Sequence, residues 1–64
     1  MSNRICIYPK DIQRITGRSE RYGRNLLDKI RISLKKEDHQ FVSIDEFCTY
    51  TGLKRGDIEP FLRD

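Results

Sequence analysis

The dipeptide Thr-Gly stands at positions 16–17 and again at 51–52. It divides a chain of only 64 residues into two short units, neither long enough to close a core alone. A chain of this length buries about 60% of its unfolded surface, so both units must share one core. Each Thr-Gly pair follows a short apolar segment and a short run at helical spacing. At an offset of 35 residues, Cys6-Ile7-Tyr8 meets Phe41-Val42-Ser43, Ile12 meets Phe47, and Leu26-Leu27 meets Phe61-Leu62. The expected architecture is strand, helix, turn, helix, repeated twice in a single small domain. Unit one spans about residues 4–36 and unit two about 41–63.

The elements follow from local signals. Arg4-Ile-Cys-Ile-Tyr8 is β-branched and meets Pro9, as a strand ending at a proline does. Asp11–Thr16 reads as a short helix with Ile12 and Ile15 on one side, Pro9 at its start and Gly17 as a left-handed stop. Ser19 caps a longer helix carrying Tyr22, Leu26, Ile30 and Leu34 inward, flanked by Leu27, to about Lys36. Phe41-Val-Ser43 reads as a second strand. Ser43-Ile-Asp-Glu46 is a capping box opening a helix through Tyr50. A last helix carries Ile58, Phe61 and Leu62. A start near Asp57 places Pro60 in its first turn, the one place where proline is tolerated in a helix. The fold class expected is mostly α, about four helices, with a small two-stranded sheet. Phe41, Ile44, Phe47, Leu53, Ile58, Phe61 and Leu62 are expected to complete the core from unit two.

The charge is segregated. Residues 1–36 hold ten Lys/Arg against three Asp/Glu, a net of +7, and residues 37–64 hold three against seven, a net of −4. Such asymmetry directs a polyanion to the first half. The alternative is a solvated basic face that makes only weak salt bridges with its neighbours.

The segment Lys10-Asp11-Ile12, Ile15-Thr16-Gly17 and Ser19 resembles the helix-turn-helix of MerR-like and phage-excisionase-like DNA-binding proteins. There a glycine turn sets a second helix into the major groove. The resemblance covers about a third of the chain. It departs from that pattern at Gln13, where a small residue is usual, at Arg18, where an apolar one is, and at Gly23, where a β-branched one is. One reading is that the small residue has moved to the second helix, with Gly23 permitting close contact. By this resemblance Ser19, Glu20, Arg21, Arg24 and Asn25 face base edges, together with Asp28. Arginine can fork onto guanine, asparagine onto adenine, and a carboxylate can accept from cytosine. Arg14, Arg18, Arg31, Lys35 and Lys36 would contact phosphates, which position without specifying. Asp28 would have to pair with Arg24 or Arg31 along the helix.

The partner expected is duplex DNA, bound by a small regulator or recombination accessory factor. A protein-interaction module whose basic helix docks an acidic partner is the alternative, and a homodimer reading two half-sites is compatible with either. No catalytic constellation is visible, and the only histidine, His39, lies in the polar link Glu37–Gln40. Cys6 and Cys48 with His39 lack the spacing of a zinc site, so no metal, cofactor or small-molecule substrate is expected. No apolar run is long enough for a membrane span. A cytoplasmic location with reduced thiols is expected.

Overall fold

The computed structural model describes residues 4–62; Arg63, with which the second expected unit ends, lies outside them. The order is α1 (Pro9–Thr16), α2 (Glu20–Ser33), α3 (Ile44–Thr51), α4 (Arg55–Ile58) and a 3₁₀ turn (Glu59–Phe61). The expected two-stranded sheet is absent among the described residues. In its place is one isolated antiparallel bridge, Cys6 to Ser43. Ile7 N–H donates to the Val42 carbonyl at 3.0 Å, and Ile44 N–H to the Ile5 carbonyl at 2.7 Å. The ladder stops there because helices begin at once on both sides, at Pro9 and at Ile44. Two hydrogen bonds fasten the units together without making a sheet.

The helix boundaries follow local chemistry. α3 opens with the expected capping box: Glu46 N–H donates to Ser43 Oγ and Ser43 N–H to Glu46 Oε1, both at 2.9 Å. α1 uses a similar device thirty-five residues earlier, with Tyr8 N–H donating to Asp11 Oδ2 at 2.9 Å. Both helices end on a left-handed glycine, Gly17 at φ 72° and Gly52 at φ 80°. The preceding threonines repeat as well. Thr16 Oγ1 donates to the Ile12 carbonyl (2.7 Å) and Thr51 Oγ1 to that of Phe47 (2.8 Å). Each hydroxyl then accepts the N–H two residues on, from Arg18 and Leu53. α2 ends sooner than expected, at Ser33. Lys36 N–H reaches the Arg31 carbonyl and Lys35 N–H that of Ile32, closing the helix around Lys35 at φ 58°. α4 starts at Arg55 rather than near Asp57, and Pro60 falls in the 3₁₀ turn.

The core is Ile7, Ile12, Leu27, Ile30, Val42, Ile44, Phe47, Ile58 and Leu62. Several of these pair at the same offset: Ile7 with Val42, Ile12 with Phe47, Leu27 with Leu62. The buried stripe of α2 is Gly23, Leu27 and Ile30. Tyr22 and Leu26 only flank it, and Leu34 lies exposed beyond the helix end. Ile30 is common to the expected and the observed stripe; toward the start of α2 the stripe moves by one residue, from Tyr22 and Leu26 to Gly23 and Leu27, where Gly23 lies against the backbone of Pro9. Phe41, Leu53 and Phe61, expected in the core, are exposed. Val42 points inward in the extended link, and its neighbour Phe41 must therefore point out.

Candidate nucleic-acid interface

The joint between α1 and α2 is short and rigid. Gly17 turns the chain, Thr16 Oγ1 holds the next N–H, and Ser19 Oγ accepts Tyr22 N–H at 3.1 Å. The Arg18 guanidinium stands 4.6 Å from the centroid of the Tyr22 ring, an arrangement that fixes a cation beside the start of α2. The two helices pack against each other, with Gly23 at the close approach.

Below the joint lies a buried ion cluster. Asp11 is only 1% exposed. It receives two hydrogen bonds from Arg4 (2.9 and 3.0 Å), one from Tyr8 N–H and one from Arg14 (3.2 Å). A carboxylate so deep needs this many donors to offset its lost hydration. Arg14, expected on phosphate, is thus partly engaged here.

The ten candidate residues fall into two groups. Arg21, Arg24 and Asn25 are exposed on α2 away from the core, with Asp28 beside them. Arg24 pairs with Glu20 at 3.2 Å, an exposed i,i+4 bridge worth well under about 1 kcal/mol and easily exchanged. Ser19 is the helix cap, so its oxygen already has a donor. Arg18 and Lys35 are exposed at opposite ends of α2. Among the described residues no carboxylate lies within ion-pair distance of Arg18, Arg21 or Lys35.

The second group is held by the protein itself. Arg31 donates through Nη1 to Asp28 (3.0 Å) and through Nε to the Gln40 carbonyl (2.9 Å). Its side chain is only 20% exposed. Lys36 reaches across to Glu46 of α3 at 3.2 Å. The Ser43 N–H holds the Glu46 carboxyl below its usual range, and Lys36 adds to this against the opposing effect of burial. Two further acids of the second unit share one arginine. Arg55 bridges Asp45 (2.6 Å) and Glu59 (3.4 Å), which raises its own pKa, chiefly through the Asp45 hydrogen bond.

Lys29 was not singled out in the sequence, yet it is exposed one turn beyond Asn25 and two beyond Arg21. The i, i+4, i+8 spacing was the available signal. Ile32, 76% exposed, ends the same outward side. Cys6 and Cys48 are unbridged and half-buried. Burial, with the nearby Asp45 charge, pushes the Cys48 thiol up, the opposite of an activated thiolate. Among the described residues no three potential metal ligands gather, and no helix is long and apolar enough to cross a membrane. Comparison with known proteins gives no matching family, and no curated protein or solved structure matches the chain significantly.

Proposed function

We propose that this protein binds duplex DNA through the exposed face of α2, as a binding protein rather than a catalyst. The observation that carries the reading is the surface of that helix. Arg21, Arg24, Asn25 and Lys29 lie exposed on it, held out by a glycine turn and by burial of Gly23, Leu27 and Ile30 beneath. Arg21, Arg24 and Asn25 have the chemistry to read base edges. Arg18 and Lys35 would hold phosphates at the two ends, with Lys29 between them. Arg31 and Lys36 serve mainly to brace the helix. The resemblance of the α1–turn–α2 segment to MerR-like and excisionase-like domains supports the same orientation. A role as regulator or recombination accessory factor in the cytoplasm, where the unbridged cysteines would stay reduced, belongs to this proposal.

Fluorescence anisotropy with a mixed-sequence duplex tests it. Binding in dilute buffer should weaken steeply as salt rises, because each phosphate contact releases counterions. Absence of duplex binding in dilute buffer would leave the protein-docking alternative for the basic helix.

A further inference from the structure

Beside the exposed face of α2 lies an open groove of about 300 Å³ whose floor includes Ile7 and Leu27. Two aromatic residues thirty-three positions apart, Tyr8 and Phe41, line it together, and Arg24 and Arg31 of α2 complete its walls. Phe41 is 63% exposed, more than any other aromatic side chain among the described residues. Its backbone is nevertheless held in place. Val42 next to it is buried and its carbonyl accepts Ile7 N–H, while Arg31 grips the Gln40 carbonyl on the other side. Tyr8 is steadied by the Arg4 guanidinium, 5.4 Å from its ring centroid.

The geometry points to a stacking site for an unpaired nucleobase in this groove, so that the protein prefers a duplex with a single-stranded flank to a blunt one. Every base offers a flat π face, and an exposed aromatic beside arginines is what unstacked bases bind without regard to sequence. A groove of this size is at the lower limit of small-ligand clefts, about 300–1,000 Å³, and suits one base. Arg24, whose bridge to Glu20 is exposed and easily exchanged, supplies the charge for its phosphate, while Arg31 stays held by Asp28 and the Gln40 carbonyl. Arg24 belongs both to the groove and to the exposed face of α2, so a strand leaving a duplex on α2 would pass directly over Phe41. Asp28, also in the lining, offers a carboxylate oxygen to an exocyclic amino group. This inference rests on the duplex-binding reading above.

The test compares one duplex in three forms by anisotropy: blunt, with a four-nucleotide tail, and with the same tail made abasic. Both tail polarities are used. A normal tail of one polarity should tighten binding about fivefold or more, the lower end of what stacking one base gives. The abasic tail keeps the phosphates and should lose that gain. Phe41→Ala should also lose it while binding the blunt duplex within twofold of the parent. Phe41 is largely exposed, so the variant should fold, and circular dichroism verifies this. Equal gains from the normal and abasic tails, or an undiminished gain in Phe41→Ala, would overturn the stacking site while leaving duplex binding intact. Failure of all three forms to bind in dilute buffer would overturn both.

Discussion

Gly23 of α2 lies against Pro9 of α1 so closely that a methyl group on Gly23 would stand 2.6 Å from the Pro9 carbonyl oxygen and 3.1 Å from its Cα. Those atoms are backbone and cannot swing aside. In an open helix, replacing glycine by alanine would stabilise by about 1 kcal/mol. Here overpacking, typically about 1–3 kcal/mol, opposes it at the joint of the two helices. Gly23→Ala should therefore lower stability, by about 1 kcal/mol net, as read by urea denaturation. A variant more stable than the parent would mean that α1 and α2 do not meet at this point.

Asp11 should be the most costly single charge to remove. It is buried, and both nitrogens of the Arg4 fork, a backbone N–H and Arg14 converge on it. Asp11→Asn keeps the shape but removes the buried negative charge on which Arg4 and Arg14 converge. Breaking a buried pair in this way costs about 3–5 kcal/mol, enough to unfold much of a small domain at room temperature. A melting curve close to that of the parent would contradict the cluster.

Lys35 closes α2 in a conformation, φ 58°, that suits glycine better than lysine. The left-handed region costs a residue with a Cβ about 1–2 kcal/mol. Lys35→Gly should raise the urea midpoint by the equivalent of roughly 1 kcal/mol, after allowing for the greater freedom glycine has when unfolded. In the DNA-binding reading the same change removes one phosphate contact and reduces the salt slope by about 1. Opposite effects on stability and affinity would separate the two roles of this residue.

Acid should loosen the contact between the two units at Glu46. Its folded pKa is depressed, first by the Ser43 N–H and then by Lys36. Its contribution to stability is thus complete above the unfolded value, about 4.3, and is lost as pH falls through the lower folded value. Glu46→Gln keeps the capping acceptor and loses the charge. At pH 7 it should be less stable than the parent by under about 1 kcal/mol, since the pair is partly exposed. The two urea midpoints should converge as pH drops below 4. A gap that persisted in acid would assign the loss to packing instead.

Arg21 and Lys36 should respond oppositely when truncated. Arg21→Ala removes an exposed guanidinium from α2 and should weaken duplex binding about five- to 150-fold if it forks onto a base, the equivalent of about 1–3 kcal/mol. Lys36→Ala removes the bridge to Glu46 and should leave binding within twofold while lowering stability slightly. Equal losses of affinity would mean that α2 attracts DNA by charge alone.

Much of the helical layout could be read from the sequence by itself. Pro9 acts through its fixed backbone angle, and Ser19, Ser43 with Glu46, and the two Thr-Gly pairs through hydrogen bonds that span two to four residues, so their outcome is local. The thirty-five-residue repeat of these devices is visible for the same reason. The exposure of Arg21, Arg24 and Asn25 followed from helical spacing, with room for a one-position error in the stripe. Tertiary packing decided the rest. It left one bridge where a sheet was expected, because helices claim the chain immediately after Tyr8 and Ser43. It turned α2 onto Gly23, drew Arg31 to Gln40 and Lys36 to Glu46, and set Tyr8 beside Phe41. Each of these joins residues distant in the chain, and such contacts depend on how the helices fill space around the shared core, which no short stretch of sequence encodes.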